Sequence, residues 1–202
     1  MKLGERVAIV TGGAQGIGRA LALGLAHEGA HVVVADLQAD KAEGTAQEIR
    51  NMGRRSLALQ VDVSNLNDIS QMVDTTIHEF GTVHILVNNA GIALPTPFLE
   101  TTEEAWDRII DVNLKSAFFC SQAVARIMVP KRRGKIVNLA STSSFVAGRE
   151  EVPYAISKAG VRMLTASAAA ELAPYGINVN TIAPGLIKTP LTEKHFPSPA
   201  AL

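Results

Sequence analysis

The sequence predicts an α/β protein built on one doubly wound parallel sheet. Short apolar runs rich in Val and Ile alternate with longer amphipathic segments, which is the pattern of strands buried on both faces and of helices that cover them. Glycine-rich or polar residues directly follow several of the apolar runs. We expect the strand order 3-2-1-4-5-6 with helices on both faces, a three-layer αβα arrangement, and a ligand at the carboxyl ends of the strands.

The first strand and the turn after it have the features of a dinucleotide-binding site. Residues 7–10 form an apolar run, and the turn TGGAQGIG over residues 11–18 leads from it into an amphipathic helix. Glycines here let the chain reverse sharply and bring bare backbone N–H groups close to a pyrophosphate at the positive end of the helix. A P-loop would need Lys and then Ser or Thr, whereas Gly18 is followed by Arg19 and Ala20. A glycine turn that binds no ligand is the remaining alternative. The acidic residue at the end of the next strand, Asp36, makes this alternative less favoured.

The second predicted strand covers residues 31–35 and is followed by Asp36. A carboxylate roughly 20 residues after the glycines can accept hydrogen bonds from both hydroxyls of the adenosine ribose, and it would repel an added 2′-phosphate. Asp36 therefore favours NAD over NADP as the cofactor.

Helices and strands continue to alternate through the rest of the chain. The patterns predict helices over 39–52, 64–80, from 101 or 102 through a long stretch to 128, and 153–173, and strands over 56–61, 83–87, 135–140 and 177–182. We expect Ser64 to cap its helix and Trp106 and Ile109 to lie in the core. Asn113 falls within the long helical stretch, where a buried amide needs a hydrogen-bond partner.

Polar or small residues follow the third and fourth strands. Asp62 and Val63 end the third, and Asp62 could face the adenine amino group or serve only as a turn residue. The run NNAG over residues 88–91 follows the fourth. Its amides can bond neighbouring strand ends, and its small residues, Gly91 among them, let the backbone approach a dinucleotide.

Three residues near the end of the fifth strand and the start of the next helix carry the candidate chemistry. Tyr154 and Lys158 are four apart on a helix and hence on one face, and Ser141 ends the neighbouring strand. Hydride transfer from a secondary alcohol needs an acceptor for the hydroxyl proton, and lowering a tyrosine pKa from about 10 to near 7 takes roughly 4 kcal/mol. An ammonium about 4 Å away at an effective dielectric constant near 20 supplies that much. Ser141 can hold the substrate oxygen.

Composition excludes several other classes of function. The 202 residues suit one domain, and the formal net charge is zero with dispersed basic residues, which argues against nucleic-acid binding. We found neither a signal-like segment nor an apolar run of membrane-spanning length, so we expect a cytoplasmic protein. Cys120 is the only cysteine and the five histidines are scattered, so no disulfide or metal site is predicted.

These motifs together resemble those of the short-chain dehydrogenase/reductase superfamily, from residue 3 to residue 189. The resemblance rests on TGGAQGIG, NNAG, the spacing from Ser141 to Tyr154, Tyr-x-x-x-Lys and PG-x-x-x-T. It implies a Rossmann fold and an oxidoreductase that transfers a hydride between NAD and an alcohol or ketone. It also implies a homodimer or homotetramer.

The resemblance also assigns roles to individual residues. Tyr154 would be the general acid/base, Ser141 would position substrate, and Lys158 would lower the tyrosine pKa and bind cofactor. Asn113 would hold a water that relays protons from Lys158. The cofactor positions are Gly12, Gln15, Gly16, Ile17, Gly18, Asp36, Asp62, Val63, Asn89, Ile187 and Thr189, beside Tyr154 and Lys158. Members that use NADP commonly have a basic residue where this chain has Gln15 or Leu37.

The last residues are expected to begin a substrate-covering segment. Members of the family normally continue with further helices and a seventh strand. We therefore expect residues 190–202 to be the start of a substrate loop whose continuation is absent, and residues 195–202 to be irregular. The residues that choose the substrate are expected in 93–98, in 143–152 and in that continuation. Glu150 and Glu151 flank the presumed pocket and could repel anionic substrates, or could simply be solvated loop residues.

Three hypotheses about function follow. The first is an NAD-dependent secondary-alcohol dehydrogenase or ketone reductase, indicated by Ser141, Tyr154, Lys158 and Asp36. The second is a 3-oxoacyl thioester reductase that uses NADPH, as in many members of the family. The third is a nucleotide-binding scaffold without catalysis.

Overall fold

A computed structural model of the chain, which describes residues 1–146 and 148–195, contains one six-stranded parallel sheet. The strands are β1 (Val7–Thr11), β2 (His31–Asp36), β3 (Ser56–Gln60), β4 (Ile85–Asn88), β5 (Gly134–Leu139) and β6 (Ile177–Ile182). Their order is β3-β2-β1-β4-β5-β6, and every pairing is parallel. The predicted fold class and strand order are therefore confirmed. The order reverses between β1 and β4, and such a switch point opens a crevice at the carboxyl ends.

Seven α-helices connect and cover the strands within the described residues. They are α1 (Gly16–His27), α2 (Ala39–Asn51), α3 (Leu66–Phe80), α4 (Glu103–Ile110), α5 (Ser116–Lys131), α6 (Val152–Leu172) and α7 (Pro190–His195). Helices α1 and α2 cover one face of the sheet, and α3, α5 and α6 cover the other. The predicted three layers are present.

Alternate residues of the central strand supply the two cores. Ile9 of β1 packs with the apolar side chains of α3 and α5, whereas Ala8 and Val10 pack with those of α1 and α2. Successive side chains of a strand point to opposite faces, so a strand covered on both faces must be apolar throughout. Cys120 of α5 lies in the first of these cores and is 1% exposed.

Some local predictions were wrong. Asn65, not Ser64, caps α3, and its side chain accepts a hydrogen bond from the Asn67 N–H at 2.9 Å. Ile109 is buried as predicted, but Trp106 is 38% exposed because it lies on the outer side of the short helix α4. The predicted long helix to residue 128 is interrupted by a π-helical turn, Asp111–Lys115.

The segment after the sixth strand, predicted to begin a substrate loop, contains a short helix. Pro190–His195 form this helix, α7, so His195, the one described residue of the stretch predicted as irregular, is helical. Thr189 anchors this helix, since its backbone N–H donates to the Thr192 hydroxyl at 2.9 Å. The predicted loop over residues 196–202, and Ala147 of the predicted substrate segment, lie outside the described residues.

In the described part of the chain, the helices are all too short or too polar to span a membrane.

Candidate active site

A cleft of about 1060 Å³ runs along the carboxyl edge of the sheet. The sequence-predicted site residues that line it are Gly12, Gln15, Gly16, Ile17, Gly18, Asp36, Leu37, Asp62, Val63, Asn89, Gly91, Ser141, Tyr154, Lys158, Ile187 and Thr189. Asn113 lies behind the cleft wall and is treated below. Residues that are far apart in the sequence thus meet at one edge because all strands of a parallel sheet end on the same side.

The glycine turn forms the floor of this cleft beneath the N-terminus of α1. Gly12 has a φ of 64°, and a Cβ there would lie 2.9 Å from the Ala90 Cα. A Cβ on Gly18 would overlap the Gly12 carbonyl oxygen, so the helix can approach the turn only without a side chain. The N-cap residue Gln15 makes no side-chain hydrogen bond to the first turn of α1. The backbone N–H groups of the first turn of α1 fit a pyrophosphate.

Asp36, the last residue of β2, holds the turn in place. Its Oδ2 accepts a hydrogen bond from the Ala14 N–H at 3.0 Å, and its Oδ1 accepts one from the Gln38 N–H at 3.0 Å. The carboxylate is mostly buried but lines the cleft. A carboxylate has about four acceptor sites, so it retains room for ribose hydroxyls.

The strand ends on either side of the switch point are joined by two asparagine amides. The Asn89 Nδ2 donates to the carbonyl oxygens of Thr11 and Gly12, at 3.0 and 2.9 Å. The Asn88 Nδ2 donates to the Asn138 Oδ1 at 2.8 Å, linking β4 to β5. The prediction that these amides bond neighbouring strand ends is confirmed.

Asp62 has a turn role in the structure. Its Oδ1 accepts hydrogen bonds from the Ser64 N–H at 2.9 Å and from the Ser64 hydroxyl at 2.7 Å. Its backbone N–H donates to the Asp68 carboxylate at 2.9 Å. Asp62 and the buried Val63 also line the cleft, so the predicted adenine contact stays a prediction.

Ser141, Tyr154 and Lys158 converge at the other end of the cleft, beyond the tip of β5. Ser141 caps the short 3-10 helix Thr142–Ser144, and its Oγ accepts a hydrogen bond from the Ser143 N–H at 3.1 Å. Tyr154 and Lys158 lie one turn apart on α6, with the Lys158 Nζ 5.8 Å from the centre of the Tyr154 ring. The predicted constellation therefore meets in space.

Burial controls the protonation of this pair in the protein alone. The Lys158 Nζ donates to the Leu139 carbonyl oxygen at 2.8 Å, and burial lowers the pKa of Lys158 to about 8. Burial also raises the pKa of Tyr154; the Ser141 hydroxyl opposes this shift and the Glu151 charge adds to it. In the protein without cofactor, desolvation of the phenolate is the largest influence on the pKa of Tyr154, and the predicted lowering of this pKa by Lys158 with the oxidised nicotinamide stays a prediction.

Asn113 occupies the π-helical turn between α4 and α5 and is 2% exposed. Its Nδ2 donates to the Ile92 carbonyl oxygen at 3.0 Å and to the Ser157 hydroxyl at 3.1 Å, and its Oδ1 accepts from the Ile92 N–H at 2.8 Å. A Cβ on Gly91 would lie 3.3 Å from the Asn113 Oδ1 and 3.4 Å from the Lys158 Nζ. The Asn113 amide and the Lys158 ammonium therefore both lie beside Gly91.

The family model described as short chain dehydrogenase matches residues 6–200. The chain belongs to this family. It is accordingly an oxidoreductase of a family that binds a nicotinamide nucleotide cofactor and acts on small-molecule substrates.

Relatives of this short-chain dehydrogenase align over most of its length. It is 42% identical over 194 residues to a hydroxy(phenyl)methylsuccinyl-CoA dehydrogenase subunit of Thauera aromatica, covering 96% of this chain and 78% of the relative. It is 39% identical over 192 residues to the 3-oxoacyl-acyl-carrier-protein reductase of Synechocystis, covering 95% and 78%. A crystal structure of a putative short-chain alcohol dehydrogenase from Sinorhizobium meliloti matches with a TM-score of 0.94 and 40% identity, covering 98% and 78%.

Two features of the dehydrogenase cleft were not found from the sequence. Lys41 reaches back from α2, and its Nζ donates to the Gln15 Oε1 at 3.1 Å. Glu103, Asp107 and Asp111 line the cleft from α4 and the turn after it. Their spacing of four places them on one helix face, which is the signal that could have identified them.

Proposed function

We propose that this protein is an NAD(H)-dependent oxidoreductase that interconverts secondary alcohols and ketones. The observation that carries the proposal is the position of Asp36, which ends β2 beside the glycine turn and lines the same cleft as Ser141, Tyr154 and Lys158. A carboxylate at this point favours a ribose with a free 2′-hydroxyl and opposes a 2′-phosphate. Gln15, Leu37 and Gln38, which line the same part of the sequence-predicted cofactor cleft, are uncharged.

Each residue at the β5 end of the cleft has a different proposed role in proton transfer. Tyr154 accepts the proton of the alcohol, or donates one to the ketone in reverse. Ser141 holds the substrate oxygen, and Lys158 stabilises the phenolate and binds the neighbouring ribose hydroxyls. When bound, oxidised nicotinamide supplies the hydride acceptor and a positive ring that favours the phenolate. Asn113 holds the π-helical turn to Ile92 and is proposed to hold the water that relays protons from Lys158 to solvent.

A second candidate is a 3-oxoacyl thioester reductase that uses NADPH. It is supported by the 3-oxoacyl-acyl-carrier-protein reductases among the relatives. Lys41 adds a cation beside Gln15 that could approach a 2′-phosphate. Asp36 argues against this candidate, since its carboxylate would meet the same phosphate.

The test is a steady-state screen of secondary alcohols with NAD and NADP, and of ketones and 3-oxoacyl thioesters with NADH and NADPH, using the chain and its Tyr154→Phe variant. We expect turnover with NAD at a higher kcat/KM than with NADP, and a loss of at least about a hundredfold in kcat in the variant, since it lacks the proton acceptor. Preference for NADPH with 3-oxoacyl thioesters would favour the second candidate.

The screen also tests catalysis itself. If NAD binds but no alcohol or ketone is converted, the protein is a nucleotide-binding scaffold. The Tyr154→Phe variant should bind NAD as well as the wild type, because the substitution removes only one hydroxyl. The homo-oligomer implied by the family resemblance and the cytoplasmic location expected from the sequence remain predictions.

A further inference from the structure

The two neighbouring acidic residues before α6 differ in their surroundings. Glu150 is exposed and has a φ of 60°, and its carbonyl oxygen accepts a hydrogen bond from the Thr96 N–H at 2.8 Å. The Glu151 side chain instead turns inward and is partly buried. Both carry the same charge, but the Glu151 side chain bonds to the loop that follows Ser141, whereas Glu150 is exposed.

The Glu151 carboxylate is held from two sides. Its Oε2 accepts a hydrogen bond from the Ser143 hydroxyl at 3.1 Å. Its Oε1 lies against the backbone of Gly148, where a Cβ would overlap it. The glycine therefore leaves the space that this carboxylate fills, and the position of the charge is fixed by the loop.

Glu151 is linked to Ser141 through hydrogen bonds of Ser143, and it precedes Tyr154 at the start of α6. Ser143, which donates to Glu151, also donates through its backbone N–H to the Ser141 Oγ at 3.1 Å. Tyr154 follows Glu151 by three residues, on the first turn of α6. The carboxylate is thus linked to the Ser141 hydroxyl through Ser143 and lies at the start of the helix that carries Tyr154.

Among the described residues, the basic side chains near this loop are exposed or contact other groups. Arg149 is exposed, and the Arg162 guanidinium lies 4.8 Å from the centre of the Phe145 ring, itself an exposed side chain. Lys158 lies deeper and donates to Leu139. Exposed cations are screened by solvent, whereas a partly buried carboxylate acts over short distances with less screening.

We propose that Glu151 selects substrates by charge, admitting alcohols whose groups near the carbinol carbon are neutral and rejecting those with a carboxylate there. The inference rests on the proposed function, because it concerns the substrate of the same site. Free hydroxy acids and oxo acids are excluded, while the corresponding amides, esters and thioesters are accepted. The Glu151 contribution to raising the pKa of Tyr154 is consistent with its charge reaching the reacting groups.

The test compares 3-hydroxybutyramide with 3-hydroxybutyrate, which differ little in shape but differ in charge. We expect the wild type to use the amide with a kcat/KM at least about tenfold higher than that for the acid. Glu151→Gln should raise kcat/KM for the acid about tenfold and change that for the amide less than about twofold. If a probe is not oxidised, its inhibition constant against an alcohol from the screen is measured instead.

Two further variants separate a charge effect from a structural one. Glu150→Gln removes the same charge from the adjacent, exposed position and should leave the ratio of amide to acid unchanged. Glu151→Lys should invert the preference, so that the acid is used better than the amide, an outcome that impaired folding would not produce.

Different results would overturn different conclusions. Equal use of acid and amide by the wild type, or the same change in ratio for Glu150→Gln and Glu151→Gln, would overturn charge selection but leave the oxidoreductase intact. Failure to convert any alcohol in the screen would overturn the proposed function and this inference together.

Discussion

Lys158 is 5% exposed, and its ammonium donates a hydrogen bond to the Leu139 carbonyl oxygen. A charge in such a place opposes folding, because its lost hydration is only partly replaced. The same burial keeps the group beside Tyr154 and the ribose position of the cleft. At the scale of single residues, the site therefore retains a group that reduces stability where the proposed chemistry needs its charge.

This cost predicts a pH dependence of stability in the cofactor-free protein. Burial lowers the pKa of Lys158 from 10.5 to about 8, so between these values the unfolded state holds the proton that the native state has released. The free energy of unfolding should therefore gain roughly 3 kcal/mol from this residue as the pH rises through that window. Urea unfolding of the wild type and of Lys158→Met measures it as the difference between the two proteins.

The comparison of wild type with Lys158→Met is necessary because another buried group titrates in an overlapping pH range. Burial raises the pKa of the Cys120 thiol to about 12, so Cys120 lowers stability as the pH rises above its ordinary value of 9.0. This contribution is common to both proteins and cancels. The exposed Lys188→Met variant should behave like the wild type, and an unchanged difference in Lys158→Met across the window would contradict the prediction.

At the scale of elements, the start of α1 and the junction of α4 and α5 place the backbone of the site. The α1 turn depends on glycines whose missing side chains permit close approach to β1 and β4. The π-helical turn Asp111–Lys115 points the Asn113 amide at Ile92. Such turns insert one extra residue in a helix and are frequent at functional sites.

Two glycines of α1 should respond oppositely to the same substitution. Gly18→Ala would force the helix away from Gly12 and should lower the free energy of unfolding by about 2 kcal/mol and NAD affinity by more than about tenfold. Gly24→Ala, where no atom lies within 4 Å of the added Cβ, should raise the free energy of unfolding by about 0.5–1 kcal/mol. Urea unfolding and NAD titration check both, and a stabilising Gly18→Ala would contradict the packing argument.

At the scale of the whole molecule, the cleft joins residues from the ends of separate strands on both sides of the switch point. Asp36 ends β2, while Tyr154 and Lys158 follow β5 on the other side. A ligand that contacts both ends should stabilise the sheet as a unit, because it binds the folded chain and not the unfolded one.

This arrangement predicts a cofactor-dependent melting temperature. NAD at a hundredfold excess over its Kd should stabilise the protein by about 2.7 kcal/mol and raise Tm by roughly 5–10 °C. NADP at the same concentration should give a smaller shift. Asp36→Asn should bring the two shifts closer together, whereas the matched substitution Asp40→Asn on the exposed face of α2 should not. A larger shift with NADP in the wild type would contradict the proposed cofactor.

The sequence was sufficient for features set by periodicity and strand ends. Asp36 and Ser141 follow apolar runs directly, and Tyr154 and Lys158 are separated by one helical turn, so backbone geometry alone brings them to one edge. The direction of the Glu151 side chain depended on Ser143 and Gly148, and loop contacts of this kind leave no periodic signal.

Competing local choices explain the remaining differences from prediction. Ser64 and Asn65 can both cap a helix, and the choice fell to Asn65 because the Ser64 hydroxyl donates to Asp62 instead. The π-helical turn was not predicted because the hydrogen-bond partners of the Asn113 amide, Ile92 and Ser157, are distant in the sequence. The pKa of Tyr154 depended on its burial, which sequence spacing does not report.

Because Cys120 is buried, chemical labelling of its thiol can measure how often the core opens. The chain has a single thiol, which is 1% exposed in the core between the sheet and α5. An alkylating reagent can reach it only when that region separates, so the rate of labelling measures how often the core opens, without any added probe. Slower labelling in the presence of a nucleotide would reveal binding even for variants that no longer turn over substrate.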